Sequence, residues 1–449
     1  MKNKLIINLL IILTISAFIS GCIEEKEPVE EKKTTSEIAT DFISNLSNGN
    51  YLEAYNYFNS TVKSQLSIEQ FQGSWEYYTG TYGEFQSLQD KIASNESGFQ
   101  IVRINCTFAD GYVITFRFVF NESKEISGFW VDNIETIQPY TTPDYVNTSN
   151  FTEIEITIGS EPWELPGTIS IPNGEGPFPS VVLVQGSGAN DRDETIGPNK
   201  PLKDIAWGLA SKNVIVLRYD KRTNIYPEET AGDKNLTVKE EVVDDAIEAV
   251  KLLQTYEQVN QNQIYVLGHS LGAMMAPQIA TYEENVSGII MLAAPARGLE
   301  DLIYNQTLYL SELDGIVDEN ESIVINTTKE ALEKIKSLNI SENEQVITVY
   351  RKYWEYLNNY DQVQTADNLK IPILLLQGKR DYQVTYEEDY AIWNLTFSDN
   401  NNVLLKTYNQ LNHIFLPGEG TPTNTEYMNK GHVPEEVIQD IVNWITGGI

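Results

Sequence analysis

The sequence predicts an α/β protein in which a mostly parallel sheet with a helical cap insertion is preceded by a small, cone-shaped α+β domain. Three observations predict it. From Phe151 onward, short continuous apolar runs such as "SVVLVQGSG", "VIVLRYD", "QIYVLGHS" and "IPILLLQGKRD" alternate with helix-period stretches such as "VKEEVVDDAIEAVKLLQTY" and "PEEVIQDIVNWI". Strands that are apolar throughout and separated by helices belong to a parallel sheet covered on both faces. Before residue 139 the order is different, with helices first and then alternating strands around a tight turn. Finally, 449 residues are too many for one core, since domains run to about 100–200 residues.

The elements follow in chain order. In residues 1–22, Lys2 and Lys4 precede an apolar run from Leu5 to Ile19 that ends in Ile19-Ser20-Gly21-Cys22. The run is shorter than the roughly 20 residues of a membrane span; with its positive end and small terminal residues it reads as a secretory signal. The tetrapeptide resembles the lipobox of prokaryotic lipoproteins. That resemblance implies a lipid on Cys22 and anchorage to the exterior face of the cell membrane. Residues 23–36, "IEEKEPVEEKKTTS", carry charge and little apolar bulk, so they form a solvated tether.

Residues 37–138 begin with helical spacing broken at Asn48-Gly49-Asn50 and end in "FQIVRINCTFADGYVITFRFVF". There, alternation on either side of Asp110-Gly111 predicts a hairpin. This part resembles the nuclear-transport-factor type of cone-shaped domain. Trp75, Tyr77, Tyr78, Phe116, Phe118 and Trp130 either pack as core, the favoured reading, or line a ligand cavity. Turn formers with little apolar content make residues 139–150 the linker. Residues 151–449 are the second domain, with the cap at about 298–370.

The stretch "IYVLGHSLGAMMAPQIA" places Ser270 between Gly268 and Gly272, after an apolar strand and before small helix formers. A serine on such a strand-to-helix turn lifts its hydroxyl above the carboxyl ends of the strands, where sites in parallel sheets form. That hydroxyl needs a base to become nucleophilic. The chain has three histidines, His269, His413 and His432. His269 neighbours the serine inside the turn and is expected to pack beneath it. His432 leads into the last helix and is the lesser alternative. His413 lies in the loop after the strand "NVLLKTY", in the chain order nucleophile, acid, histidine that accompanies this elbow. The acid that orients the imidazole is Asp381, just past "IPILLLQG", with Asp389 and Asp367 less well placed. Two backbone N–H groups, of Leu271 and of Ser187 in "VQGSGANDRDE", are the expected donors to a developing oxyanion.

With these residues in place, residues from about Phe151 to Ile449 resemble the α/β-hydrolase superfamily. The segments "GSGANDRDETIGPNKPLKDIAWGLASKNVIVLRYDKR", "GHSLG", "QGKRDYQV" and "LNHIF" resemble serine esterases near its dienelactone-hydrolase and serine-aminopeptidase branches. The resemblance implies an acyl-enzyme on Ser270, with neither metal nor cofactor. Gln185 stands where many relatives carry histidine, and Ser270 where dienelactone hydrolases proper carry cysteine. Asp191, Arg192 and Asp193 are expected to order their loop through charge pairing. Tyr304, Tyr309, Tyr350, Tyr353, Trp354 and Tyr356 in the cap are offered both to an acyl pocket and to helix packing.

Composition narrows the partners. A hydrophobic share of 41% with 21% charged residues fits globular domains. A net charge of −33, from 64 acidic against 31 basic residues, repels phosphate backbones, so nucleic acid is excluded as a partner. Of the two cysteines, Cys106 has no disulfide partner once Cys22 carries lipid. Asn-x-Ser/Thr triplets at Asn59, Asn105, Asn235, Asn305 and Asn394 permit glycosylation where the host has the machinery. The expected partner is a small-molecule ester or a short peptide. Two further readings stand at this point: a serine peptidase of the aminopeptidase type, and a surface ligand-binding lipoprotein whose second domain is vestigial.

Overall fold

The computed structural model describes residues 33–96, 99–109, 111–136 and 140–447; the signal, Cys22 and most of the tether lie outside the described residues. The chain divides into two compact units, one of Met1–Pro139 with Ser311–Val324, the other of Tyr140–Leu310 with Ile325–Ile449.

In the first unit, helix Thr35–Ser47 starts at a reciprocal cap in which Glu37 N–H donates to Thr34 Oγ1 (3.2 Å) and Thr34 N–H to Glu37 Oε2 (2.7 Å). Gly49, at φ +75°, turns the chain into helix Tyr51–Tyr55. A second reciprocal cap, Ser67 with Gln70, opens helix Ile68–Tyr82. The strands β1 (Phe85–Glu96), β2 (Phe99–Phe108), β3 (Tyr112–Phe120) and β4 (Ile126–Thr136) form an antiparallel meander. Alternate residues of β3, including Ile114, Phe116, Phe118 and Phe120, are buried, the period-2 pattern of a half-buried strand. The aromatics fill this core with one another. Phe42 lies 5.0–5.5 Å from Phe58, Phe71, Phe118 and Phe129, and Trp75 lies 6.0 Å from Phe116. Trp130 stacks with the Arg117 guanidinium 5.1 Å from its ring. The favoured core reading therefore describes Trp75, Phe116 and Phe118, all buried.

The second unit is built on β5 (Phe151–Ile158), β6 (Leu165–Pro172), β7 (Phe178–Val184), β8 (Ile215–Tyr219), β9 (Val259–His269) and β10 (Gly288–Leu292). The short pair β11 (Gln345–Val346) and β12 (Val349–Tyr350) sits in the insertion, and β13 (Ile373–Gly378) and β14 (Val403–Tyr408) follow it. The large sheet runs β14-β13-β10-β9-β7-β8-β6-β5. From β14 to β8 neighbouring strands are parallel; β6 pairs antiparallel with β8 and β5 with β6. Two apolar layers cover it. Val182, Val184, Val266, Ile289 and Leu375 feed one, and their neighbours Val181, Leu183, Leu267, Ile290 and Leu376 feed the other. Each such side chain removed from water stabilises the fold by about 1.5–3 kcal/mol, which explains the continuous apolar runs within these strands.

Residues 140–150, read as a linker, are fixed to the second unit. Tyr140 Oη donates to Asp204 Oδ1 (2.7 Å), Tyr145 Oη to the Val433 carbonyl (2.7 Å), and Asn147 N–H to Ser211 Oγ (3.0 Å). The insertion holds helices Leu299–Ser311, Glu319–Ser337, Arg351–Asn358 and Gln362–Asn368, and also the β11–β12 hairpin, which the helical reading did not include. Its two turn residues, Ile347 and Thr348, have φ of +48° and +67°. Turns of this kind favour Asn and Gly, so β-branched residues there gave no signal.

The ends of β13 and β14 touch through backbone: a Cβ on Gly378 would stand 2.3 Å from the Leu411 carbonyl oxygen, while Arg380 N–H donates to that same oxygen (3.0 Å). This contact brings the Asp381 loop against the His413 loop. Gly378→Ala is expected to cost about 1–3 kcal/mol by overpacking, measured as a lower urea midpoint. Gly80→Ala, in helix Ile68–Tyr82 with nothing within 4 Å of the added carbon, is expected to leave stability unchanged or raise it by up to about 1 kcal/mol.

Candidate active site

Ser270 ends β9 and opens helix Leu271–Tyr282 at φ +52°, ψ −115°, a region costly for any residue with a side chain, at about 1–3 kcal/mol. The flanking glycines make the turn possible. A Cβ on Gly268 would lie 2.2 Å from the Gly272 carbonyl oxygen, and one on Gly272 would lie 2.3 Å from that of Val184 at the end of β7. The Ser270 N–H donates to the Leu292 carbonyl (2.9 Å), pinning the elbow to β10. Its hydroxyl makes no capping bond to the helix, so it is not consumed by the local structure.

His413 Nδ1 stands 2.8 Å from Asp381 Oδ2. The other carboxylate oxygen of Asp381 accepts the N–H groups of Gln383 (2.8 Å) and Val384 (2.9 Å), and the Gln377 amide donates to Oδ2 (3.2 Å). A carboxylate so surrounded acts as acceptor, so the proton sits on His413 Nδ1 and Nε2 keeps its lone pair. The Asp381 side chain is fully buried. His413 and Ser270 line one cavity of about 530 Å³, together with Leu271 and the turn Gly186–Ser187–Gly188. The sequence-predicted Ser270, Leu271, Ser187 and His413 thus share one site, with Asp381 bonded behind it.

The other candidates lie elsewhere. His432 approaches Asp204 (3.1 Å) and Thr141 (3.3 Å). Asp389 is buried and accepts from the Arg297 guanidinium (2.7 Å) and the Ala296 N–H (3.0 Å). Asp367 lies in helix Gln362–Asn368. The charge cluster orders its loop as expected: Arg192 grips both oxygens of Asp220, and Asp193 meets Arg218 (2.9 Å). Gln185 donates to the Tyr219 carbonyl. Of the cap aromatics, Tyr353 and Trp354 line the cavity, whereas Tyr309 stacks on Tyr382 (5.2 Å) and Tyr356 donates to Gln278 (3.0 Å).

Beneath the elbow His269 packs as expected, against Glu194, a residue that sequence reasoning passed over. His269 Nε2 donates to the His413 carbonyl (2.9 Å), and its Nδ1 stands 2.9 Å from Glu194 Oε2. The second contact is a close pairing of charges, not an aligned hydrogen bond. Glu194 Oε1 accepts the Gly186 N–H (2.7 Å), so one carboxylate ties the expected oxyanion turn to the underside of the elbow. Burial, the largest cause, would raise the Glu194 pKa, but the His269 charge, the Gly186 N–H and the nearby His413 together outweigh it and hold the carboxyl below the usual range. Burial would likewise lower His269, and Glu194 reverses this and raises it. Glu194 adjoins the "DRD" cluster, and no local pattern distinguishes it from its neighbours.

The sign of the pH dependence follows. A raised His269 contributes stability that is complete below its unfolded pKa of about 6.5 and is lost as pH rises through the raised folded value. The lowered Glu194 contributes stability that is present above its unfolded pKa and is lost as pH falls through the lowered one. Glu194→Gln retains an acceptor for Gly186 but removes the charge. Urea midpoints measured across the pH range are expected to show the alkaline-side decline in the wild type and its loss in the variant.

Comparison with known proteins now adds to the geometry. The family described as "Serine aminopeptidase, S33" matches residues 202–419, and that described as "Protein of unknown function (DUF3887)" matches residues 39–129. Esterase EstD of Thermotoga maritima is 40% identical over 404 residues, covering 90% of this chain and 93% of that protein. Among solved structures, Est1E from Butyrivibrio proteoclasticus is similar at 16% identity over 65% of this chain and 99% of its own, with a TM-score of 0.42. An esterase from Pyrococcus furiosus is similar at 18% identity over 70% and 96%, with a TM-score of 0.43. The likeness to EstD extends over nearly the whole of both chains, and this chain accordingly belongs to the α/β-hydrolase family of serine hydrolases that includes it, with a nuclear-transport-factor-like domain in front.

Proposed function

We propose that the second unit hydrolyses carboxylic esters of small molecules through an acyl-enzyme on Ser270. The observation that carries this reading is the His413 imidazole held by Asp381 through Nδ1 (2.8 Å), with its other nitrogen left for the cavity that Ser270 also lines. His413 Nε2 takes the hydroxyl proton as Ser270 Oγ attacks the ester carbonyl, and passes it to the departing alcohol. Water then enters by the same base and releases the acid, restoring the serine. The Leu271 and Ser187 N–H groups receive the negative charge of both tetrahedral states; one such donor is worth about 2.7–4 kcal/mol in other enzymes.

The cavity supports a small substrate with an apolar acyl part. Its volume falls within the range of about 300–1,000 Å³ usual for small-molecule sites, and Leu302, Ile303, Val349 and Trp354 contribute an apolar wall. Ester is favoured over amino-terminal peptide by charge. Among the described lining residues the carboxylates are Glu194 and Glu241, and both are already paired, the first with His269 and the second with Lys221 (2.7 Å) and the Tyr353 hydroxyl (2.8 Å). Neither is left to recognise a free ammonium group. The esterase named among the relatives supports the same choice.

Ser270→Ala is expected to fold and to lose ester turnover by about 10⁶-fold. Asp381→Asn is expected to lower kcat by about 10⁴-fold through the wrong imidazole tautomer. Both are read with a nitrophenyl ester series of graded chain length. Release of nitroanilide from short peptides with the esters untouched would overturn the ester reading. We also propose that the enzyme works at the exterior membrane surface, tethered by a lipid on Cys22. Cys22→Ser is expected to move it from the membrane to the soluble fraction of expressing cells, and unchanged membrane association would contradict the tether.

A further inference from the structure

We propose that Lys221 is a positioning residue for acyl transfer, holding the Gly186 carbonyl so that the Ser187 N–H of the same peptide unit points into the cavity. The inference rests on the Ser270 reading above, because it takes the Ser187 N–H as an oxyanion donor. Lys221 lies two residues past β8 and is 2% exposed. Its Nζ donates to the Gly186 carbonyl oxygen at 2.8 Å. A trans peptide is planar, with C=O and N–H directed oppositely, so whatever fixes that carbonyl fixes the direction of the Ser187 N–H.

The peptide needs such a hold. It joins Gly186 to Ser187, and the glycine on its amino side offers little resistance to rotation of the peptide. Rotated by half a turn, it would present a carbonyl dipole, not an N–H, to a developing negative charge. The preceding N–H, of Gly186, is held separately by Glu194 (2.7 Å), and the Asn190 amide adds a weaker contact to the Gly186 oxygen (3.2 Å). The lysine bond is the charge-assisted one, stronger than a neutral pair.

Desolvating an ammonium is costly, and the surroundings offset that cost at one place. Glu241 Oε1 pairs with Lys221 Nζ at 2.7 Å, and Glu241 Oε2 accepts the hydroxyl of Tyr353 at 2.8 Å. Tyr353 belongs to helix Arg351–Asn358 of the insertion and lines the cavity. The chain Tyr353–Glu241–Lys221–Gly186 therefore connects the substrate wall to the oxyanion peptide through buried polar contacts.

The test is the double variant Lys221→Met/Glu241→Gln, which removes both charges at nearly constant volume, with Lys221→Arg as rescue and Ser270→Ala as reference. The expected result in the folded double variant is a fall in kcat for a nitrophenyl ester of about 10²–10³-fold, the size reported for losing one oxyanion donor, with KM little changed. Affinity for a trifluoromethyl ketone, which forms the tetrahedral adduct, should fall in parallel, while inhibition by a neutral aliphatic alcohol, which fills the apolar wall but carries no carbonyl or carboxylate oxygen, should not change. Lys221→Arg should restore most of kcat. Wild-type kcat and ketone affinity in the double variant, with Ser270→Ala inactive, would overturn the role of Lys221 and leave the Ser270 reading intact. Equal weakening of ketone and alcohol would show a merely structural role and overturn it as well. Full activity in Ser270→Ala would remove the reading and this inference together. Should the double variant not accumulate folded, Lys221→Gln is put through the same ketone and alcohol measurements, with the same outcomes deciding.

Discussion

The second unit depends on a place where three stretches of backbone come within van der Waals contact: the end of β7, the end of β9 and the first turn of helix Leu271–Tyr282. Any side chain at Gly268 or Gly272 would occupy space held by main-chain atoms of Gly272 and Val184. Only with that space empty can the chain reverse at Ser270 with a positive φ. The energy for this strain comes from the layers on either side of the sheet, where Val266, Leu267, Ile289 and Leu292 are buried almost completely. Ser270, the proposed nucleophile, is thus presented by rigid elements, while the groups proposed to act on it come from loops at the same sheet edge.

Those loops are held by buried charge. Asp381 with His413, Glu194 with His269, and Glu241 with Lys221 each join a carboxylate to a nitrogen at 2.7–2.9 Å. Breaking the Glu194 or the Glu241 pair from a single side leaves an uncompensated buried charge, a loss of about 3–5 kcal/mol in proteins generally. The exterior of the chain is strongly acidic, with a net charge of −33, yet the cavity's carboxylates are matched locally. Leu302, Ile303 and Trp354 give that cavity an apolar wall, and these pairings leave the second nitrogen of His413 unengaged.

What could be read in advance follows from the range of each signal. Strands β7, β9, β10 and β13 were legible because burial on both faces forces continuous apolar runs. Ser270 was legible because the turn requires glycine at two fixed places. Asp381 and His413 were found from their position after strands, which is again local. Glu194 and Lys221 were not, since their roles arise from the partners His269 and Gly186, 75 and 35 residues away in the chain, and nothing in "DRDE" or "YDKR" records those pairings. The β11–β12 turn was hidden because Ile347 and Thr348 adopt a conformation their side chains disfavour, and residues 140–150 because tyrosines that dock look like tyrosines in a loop. In the first unit, spacing gave the helices and hairpin, and mutual packing assigned the aromatics to the core.

The most direct measurement is a rapid acid quench during turnover of a hindered trimethylacetyl ester, followed by peptide mapping in the mass spectrometer. The account predicts one acyl group on the peptide that contains Ser270, formed rapidly in the wild type and absent in His413→Ala over the same interval. Acylation of another residue, or an adduct on Ser270 that forms equally fast without the His413 imidazole, would contradict it.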